Sequence, residues 1–280
     1  MSKTGTATPP WRPQYGRLLA HATALRLLPE RSKGVTSYYK NAISGRLAAA
    51  EAQLSHHGST RCLLEIGCGR DLLLALVAAI RHGKEVVAFD VTHLADLSLV
   101  NFTLAALGAA PVPSLDELYP RHGIRYVVSP SISTLSPNFD GVASSAAIEH
   151  IPPSELSALV ACLAKVLRPG AKVTAEVDYR DHWSFIAPVP TDHFLTFSAV
   201  SFRLINVPRM FQNRLRHVDV VKLFHDQGFN ICAEALEPMK LTVPRNRYAK
   251  LFRHRTNDEL RIGVARIAWY RSDTTFHPVA

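Results

Sequence analysis

Short apolar runs alternate with longer helix-like segments over most of this 280-residue chain, and this alternation limits the fold more than any other feature. Strands are predicted at residues 61–67, 85–90, 124–129, 139–144 and 171–178, and helices at residues 36–57, 71–82, 93–107 and 153–167. Strands joined by helices pair in parallel through right-handed crossovers, and strands without polar alternation are covered on both faces. The pattern predicts an α/β protein with a doubly wound, mostly parallel sheet.

The alternation stops after residue 178. A helix is predicted at residues 217–227, and two further apolar runs, FNICAEAL and LRIGVARIAWYR, follow it. We expect these runs to complete a seven-stranded sheet as an antiparallel pair. Residues 179–216, which contain scattered aromatic side chains and prolines, then form an insertion over the carboxyl edge of the sheet, where folds of this kind bind ligands.

The predicted organisation has two parts. Residues 1–60 form a helical N-terminal segment or lid, and residues 61–280 form the ligand-binding domain, with residues 179–216 on its substrate side. Within the first part, residues 17–28 could form a basic amphipathic helix, which packs on its own domain or lies on a membrane surface. Peripheral membrane contact therefore stays open, whereas no apolar run approaches the roughly 18 residues that a membrane span needs.

Composition disfavours several other classes of protein. The formal charge is +9, but the 32 Lys and Arg are spread along the sequence, so a basic protein without a nucleic-acid partner is the simpler interpretation. The densest basic stretch, residues 243–255, is typical of a solvated helix face. Four cysteines without CxxC spacing predict neither a zinc site nor a disulfide framework, and a reduced, cytoplasmic protein fits best.

A glycine-rich turn follows the first predicted strand in the segment LLEIGCGRDLLLAL, residues 63–76. Gly67 and Gly69 allow a sharp turn and let a ligand approach the backbone without obstruction by a Cβ atom. The helix that follows directs unpaired N–H groups to the same place. Leu72 stands where the dinucleotide-binding pattern G-x-G-x-x-G needs glycine or alanine, so a dinucleotide is disfavoured.

Carboxylates around this turn indicate which nucleotide it binds. Glu65 at the strand end and Asp71 at the helix start would repel a diphosphate, but they suit a ligand with an ammonium and a sulfonium group. Asp90 ends the next strand, where a carboxylate can accept hydrogen bonds from both hydroxyls of a ribose. A ribose without phosphate and a cationic amino-acid tail together describe S-adenosylmethionine.

Four stretches of the chain resemble the class I S-adenosylmethionine-dependent methyltransferase family. They are LLEIGCGRD, VVAFD, FDGVASSAAIEHIP and LAKVLRPGAKV, in the family's order and spacing. The resemblance implies a Rossmann-like fold. Two further stretches, DYRDHWSF and QNRLRHVDVVKLFHDQGF, are similar to bacterial methyltransferases, some of which are associated with surface polysaccharide or secondary-metabolite assembly. The family resemblance implies that Glu65, Gly67 and Gly69 surround the methionyl end of the cofactor, that Asp90 holds the ribose, and that Ser145 lies near the cofactor.

The chemistry of methyl transfer asks mainly for alignment of the reacting atoms and exclusion of water, although a hydroxyl nucleophile gains from a general base. Asp181 and His182, after the fifth strand, are the predicted catalytic pair, and no metal ion is predicted. Four further residues are interpreted either as contacts to an anionic substrate or as surface salt-bridge partners: Arg203, Arg214, Arg216 and His217.

The predicted function is S-adenosylmethionine-dependent O- or N-methylation of a small molecule or glycan. The net charge favours an RNA methyltransferase as the alternative, but SSAAIEH after the fourth strand lacks an Asn-Pro-Pro-Tyr-like motif. Two alternatives come from other classes, a nicotinamide-dependent oxidoreductase and a non-catalytic scaffold on the same fold. Leu72 and the paired carboxylates argue against the oxidoreductase.

Overall fold

The computed structural model describes residues 15–27, 35–135 and 139–272. The chain divides into two compact units, and the smaller one combines the described residues of three segments, residues 1–29, 180–212 and 239–261. The larger unit contains the other described residues. The predicted boundary at residue 60 and the predicted insertion at 179–216 stay predictions, and parts of the predicted segments 1–60 and 61–280 lie outside the described residues.

One seven-stranded sheet forms the centre of the larger unit, in the order β3-β2-β1-β4-β5-β7-β6. The strands are β1 (Cys62–Ile66), β2 (Glu85–Asp90), β3 (Ile124–Val128), β4 (Phe139–Ser145), β5 (Leu167–Asp178), β6 (Phe229–Pro238) and β7 (Ile262–Arg271). The first five strands are parallel to one another, and β7 lies antiparallel between β5 and β6. This confirms the doubly wound, mostly parallel α/β sheet and its antiparallel pair.

Helices connect the strands and build the smaller unit. They are α1 (Tyr15–Leu27), α2 (Ser37–Leu54), α3 (Leu73–His82), α4 (Leu97–Ala106), α5 (Leu118–His122), α6 (Pro153–Val166), α7 (Ala199–Ile205), α8 (His217–His225), α9 (Lys250–Arg253) and α10 (Asn257–Arg261). Helix α4 begins later than the predicted residue 93 because Asp96 caps it, accepting a hydrogen bond from Ser98 N at 3.0 Å.

The sheet is covered on both faces, as its apolar strands predicted. Leu64 and Ile66 of β1 lie in a buried cluster with residues of α6 and α8, whereas the intervening Leu63 lies in a second cluster with residues of α3 and α4. Successive side chains of a strand point to opposite faces, so β1 contributes to two cores at once.

The smaller unit has a core of its own. The aromatic residues of segment 180–212 differ in burial: Trp183, Phe194 and Phe202 are buried, whereas Phe185 is 58% exposed. Leu18 and Ala22 of α1 are also buried in this core, so the face of α1 that carries them packs within the smaller unit. Leu28 lies outside the described residues.

A buried carboxylate holds the segments of the smaller unit together. Asp192 is fully buried and accepts hydrogen bonds from Thr242 N (2.9 Å), Thr242 Oγ1 (3.0 Å), Val243 N (2.9 Å) and Tyr248 Oη (2.7 Å). These bonds join the segment of residues 180–212 to that of residues 239–261. In the described part of the chain, no helix has the combination of length and hydropathy required to cross a membrane.

Candidate active site

The turn after β1 needs glycine at one position for two separate reasons. Gly67 has a φ of +70°, and a Cβ atom added to it would lie 2.3 Å from the Cβ of Ala147. Its N–H donates to Phe89 O at 2.9 Å, which fixes the turn against the end of β2. Gly69 also has a positive φ, +66°, but open space surrounds its missing Cβ. The turn therefore packs closely at Gly67 and leaves its backbone accessible at Gly69.

Asp90 lies at the end of β2, directly beside this turn. Its Oδ2 accepts a hydrogen bond from Gly69 N at 3.4 Å and its Oδ1 accepts one from Thr92 N at 3.3 Å. Burial raises the pKa of the Asp90 carboxyl, and these backbone hydrogen bonds partly oppose the shift. The structure thus brings together Gly69 and Asp90, which are 21 residues apart in sequence.

Glu65 is turned toward the start of α3 rather than into solvent. It is 3% exposed, and its Oε2 accepts a hydrogen bond from Ala75 N at 3.0 Å, which satisfies one of the N–H groups at the helix N-terminus. Burial raises the pKa of Glu65 well above its ordinary value, and the nearby charge of Asp71 raises it further. Glu65 therefore stabilises the glycine-rich turn indirectly, because it holds the first turn of α3, the helix that follows the glycine-rich turn.

Asp71 pairs with an arginine that the sequence analysis did not identify. Arg46 of α2 donates from Nη2 to Asp71 Oδ1 at 3.1 Å and from Nη1 to Oδ2, in a bidentate arrangement. The same guanidinium lies 5.5 Å from the centre of the Tyr39 ring. The charge of Asp71 is thus compensated by that of Arg46.

Ser145 is the last residue of β4 and is exposed. Ala146 follows in the left-handed conformation, with a φ of +50°, and its N–H donates to Glu176 O at 2.9 Å. A non-glycine residue in this conformation is under strain and is often found at functional sites. The next residue, Ala147, is the one whose Cβ approaches Gly67. The exit from β4 is therefore fitted to the turn after β1.

The predicted cofactor residues gather at one edge of the sheet. Glu65, Gly67, Gly69, Asp90 and Ser145 lie at or just beyond the carboxyl ends of β1, β2 and β4. The strand order reverses between β1 and β4, and a doubly wound sheet has its ligand crevice at such a switch point. The arrangement can hold a nucleoside whose ribose meets Asp90.

The predicted catalytic pair belongs to the smaller unit. Asp181 is 1% exposed; its Oδ1 accepts from Trp183 N at 2.9 Å, and its Oδ2 lies 3.8 Å from Nδ1 of His193. Burial raises the pKa of Asp181 to about 7, aided by the charge of Asp192 and opposed by backbone hydrogen bonds. The imidazole of His182 is tilted against the Phe185 ring, with centroids 5.3 Å apart. Their catalytic role stays a prediction.

Glu149 is a titratable group that the sequence analysis missed. It follows β4 in a short 3₁₀ turn, is 2% exposed, and accepts a hydrogen bond at Oε1 from Asp178 N at 3.3 Å. Among the described residues, Oε2 has no hydrogen-bond partner. Burial raises the pKa of Glu149 to about 8, and the charges of Asp178 and Glu176 add to the shift. The sequence gives no signal for this, because burial of this turn is a tertiary property.

The Glu149→Gln variant is expected to become more stable than the wild type as the pH rises. The folded protein keeps a proton on Glu149 up to about pH 8, whereas the unfolded chain releases it near pH 4.5. Wild-type stability therefore falls with rising pH across this range, by about 1.4 kcal/mol per pH unit for one proton. Urea unfolding at several pH values measures the difference between the two proteins.

The exposed Glu155→Gln variant is the control, since Glu155 lies in the first turn of α6 and is solvent-accessible. Its stability relative to the wild type is expected to change little with pH. The opposite result is a difference in the free energy of unfolding between Glu149→Gln and the wild type that stays constant from pH 5 to pH 8. It would show that Glu149 is already ionised in the folded state.

Arg216 does not lie on the surface of the protein. It is 0% exposed and donates from Nη1 to Tyr179 O and from Nη2 to Ile262 O, both at 2.7 Å. Its guanidinium also lies 5.3 Å from the centre of the Tyr179 ring. Arg216 thus joins the ends of β5 and β7 inside the larger unit, so it is not a surface salt-bridge partner, and a contact to substrate stays a prediction.

Comparison with known proteins adds three findings. A family model described as a methyltransferase domain matches residues 20–234. No curated protein sequence matches the chain. Among solved structures, magnesium protoporphyrin IX methyltransferase from Synechocystis PCC 6803 with bound SAH is 13% identical, with a TM-score of 0.50 over 93% of this chain and 97% of that one.

A second solved structure is similar over almost the whole chain. It is the 1,6-didemethyltoxoflavin-N1-methyltransferase of Burkholderia thailandensis with bound 1,6-didemethyltoxoflavin and S-adenosylhomocysteine. It is 15% identical, with a TM-score of 0.49 over 96% of this chain and 94% of that one. At 13% identity the similarity to the Synechocystis structure concerns the fold.

Proposed function

The chain belongs to the methyltransferase-domain family, and from this premise we propose that it is an S-adenosylmethionine-dependent methyltransferase. We propose further that its substrate is a small molecule or glycan, methylated at an oxygen or nitrogen atom. The matched residues 20–234 include the whole of the turn, the carboxylate and the strand exit described above. The match to the family model thus covers the residues of the candidate cofactor site.

The observation that carries the cofactor assignment is the position of Asp90 beside Gly69. A carboxylate at the end of β2 can accept hydrogen bonds from both ribose hydroxyls, while the backbone at Gly69 is unobstructed by a side chain. Leu72, with a φ of +49°, occupies the place where a dinucleotide-binding helix would need a small residue. These features favour a nucleoside with a cationic tail over a dinucleotide.

The proposed mechanism requires little covalent chemistry from the protein. S-adenosylmethionine supplies a methyl group that its positively charged sulfur already activates. The protein has to hold the acceptor atom in line with that methyl group and keep water away. For a hydroxyl acceptor, Asp181 accepts the proton that is released, and its pKa of about 7 is suited to a general base at neutral pH.

We expect Asp181→Asn and His182→Ala to lower kcat by roughly 10²- to 10⁴-fold, the usual contribution of a general base, while the Kd for S-adenosylmethionine stays unchanged. Asparagine can still accept the hydrogen bond from Trp183 N, so the 3₁₀ turn that Asp181 caps should remain folded. The base must be deprotonated, so wild-type kcat/KM is expected to rise as the pH increases through about 7.

Asp258→Asn is the matched control in the same unit, because the Asp258 side chain is 92% exposed. It is expected to leave kcat and its pH profile unchanged. If Asp181→Asn keeps both the wild-type kcat and the rise near pH 7, Asp181 has only its structural role in capping the turn.

The experiment that tests the function is isothermal titration of the purified chain with S-adenosylmethionine and S-adenosylhomocysteine, beside NADH. We expect both adenosyl ligands to bind at micromolar concentration and NADH not to bind. Methyl transfer to hydroxylated sugars and phenols then follows as a substrate screen. Binding of NADH alone would favour the oxidoreductase alternative, and a folded protein that binds none of the three would favour the scaffold.

A further inference from the structure

The positive charge of the chain is concentrated in the smaller unit. Its three segments, residues 1–29, 180–212 and 239–261, contain 14 of the 32 Lys and Arg but only 4 of the 23 Asp and Glu. The remaining 18 basic and 19 acidic residues belong to the larger unit, whose formal charge is therefore close to zero. The charge looks dispersed in the sequence because the segments of the smaller unit are far apart along the chain.

Much of this charge is not neutralised by neighbouring carboxylates. Five cations of residues 240–253 have no carboxylate oxygen within 4.0 Å in the described part of the chain: Lys240, Arg245, Arg247, Lys250 and Arg253. The nearby Arg255 and Arg261 pair with Glu259 and Asp258, each on its own stretch of chain. We call residues 240–253 the basic segment. Closely spaced cations without counter-charges produce a strong positive potential.

The side chains between these cations discriminate between two kinds of anionic partner. Tyr248 and Phe252, the aromatic residues of the basic segment, are 1% and 2% exposed and belong to the core of the smaller unit. They are therefore unavailable to stack on nucleic-acid bases. Proteins that bind single-stranded nucleic acid without sequence preference rely on such stacking. Leu251, between exposed Lys250 and Arg253, is instead 58% exposed.

An exposed aliphatic side chain flanked by cations suits the interface of an anionic lipid bilayer. The cations are attracted to the headgroups, and the apolar side chain enters the boundary between headgroups and acyl chains. The same unit exposes another aliphatic side chain, Val200 of α7, which is 71% exposed and stands three residues before exposed Arg203. Both positions combine an apolar side chain with a neighbouring cation.

We propose that the smaller unit docks on anionic phospholipid bilayers through the basic segment, with Leu251 inserted into the bilayer interface. This docking is peripheral and does not depend on the bound cofactor. It is therefore separate from the proposed methyl transfer, and either proposal can fail without the other.

Co-sedimentation of the full chain with vesicles tests the proposal. We expect binding to vesicles of phosphatidylcholine mixed with phosphatidylglycerol, and none to phosphatidylcholine alone. Raised salt should weaken the binding, because salt screens exposed charges. The triple variant Lys240→Gln, Arg247→Gln, Lys250→Gln should partition about 100-fold more weakly, since each cation near an anionic surface contributes roughly fivefold. Arg245 and Arg253 are kept because both donate hydrogen bonds to backbone carbonyls.

Leu251→Ser should weaken vesicle binding by roughly tenfold through the loss of apolar contact alone. Its control is Leu236→Ser, because Leu236 is 43% exposed on β6 of the larger unit. The control for the charges is Lys165→Gln, Lys172→Gln, Arg125→Gln, which removes the same number of exposed cations from the larger unit. Circular dichroism confirms that each variant is folded.

Three outcomes would overturn the proposal. The first is no sedimentation of the wild type with the mixed vesicles. The second is an equal loss of binding in both triple variants, which would mean that net charge alone is responsible. The third is tight binding of a single-stranded RNA oligonucleotide, weakened by the Lys240, Arg247 and Lys250 substitutions, without binding to vesicles. That result would assign the basic segment to nucleic acid.

Discussion

Replacing Asp90 with alanine is expected to weaken the binding of S-adenosylmethionine by at least 100-fold. The carboxylate is the group proposed to accept both ribose hydroxyls, and hydrogen bonds to a charged group contribute about 1.5–3 kcal/mol each. The substitution also removes the bond from Gly69 N to Asp90 Oδ2, so the turn loses a contact that holds its backbone toward the ligand. Isothermal titration of the variant beside the wild type measures the change.

Asp116→Ala is the control for this experiment. Asp116 is an exposed carboxylate in a short 3₁₀ turn of the same unit. The Asp116→Ala variant should bind S-adenosylmethionine with the affinity of the wild type. Circular dichroism and thermal unfolding establish that the Asp90 variant is folded. If folded Asp90→Ala protein binds S-adenosylmethionine with wild-type affinity, the ribose is held elsewhere and the proposed orientation of the nucleoside in the crevice is wrong.

Replacing Asp192 with alanine is expected to lower the free energy of unfolding by about 3–5 kcal/mol or to unfold the smaller unit. The carboxylate accepts four hydrogen bonds, and its loss leaves donors at Thr242, Val243 and Tyr248 without that acceptor. A buried donor deprived of its partner costs about 1–3 kcal/mol. The full sum is not expected, because water can enter the space that the side chain leaves.

Urea unfolding followed by tryptophan fluorescence measures this loss, since Trp183 lies in the core of the smaller unit. Asp258→Ala, at a highly exposed position of the same unit, is expected to change the unfolding free energy by less than about 0.5 kcal/mol. If the free energy of unfolding of Asp192→Ala equals that of the wild type, other interactions replace the four hydrogen bonds without a loss of stability.

The parts of the fold that follow from local patterns could be predicted from the sequence. Apolar runs and their alternation with helices predicted the sheet, because strand and helix periods are local properties. The proximity of Gly67, Gly69 and Asp90 could also be predicted, because these residues stand at the carboxyl ends of adjacent strands. The late start of α4 was missed, since the cap at Asp96 competes with the apolar pattern before it.

The features that depend on tertiary contacts could not be predicted. Arg46 and Asp71 are 25 residues apart, and nothing in either segment indicates that they meet. The burial of Glu149 and Arg216 likewise depends on how the elements pack. The dispersed appearance of the positive charge was the most misleading feature, because a count along the sequence does not show which segments assemble into one unit.

The smaller unit is assembled from three separate stretches of chain, and this has a consequence for synthesis. Asp192 meets its partners 50 to 56 residues later in the sequence. On the ribosome, the carboxylate is made long before Thr242 and Tyr248 leave the exit tunnel, so this core cannot form until both of these residues have emerged. A nascent chain arrested before residue 239 would expose the aromatic side chains of Trp183 and Phe194, and such an intermediate is a natural client for chaperones.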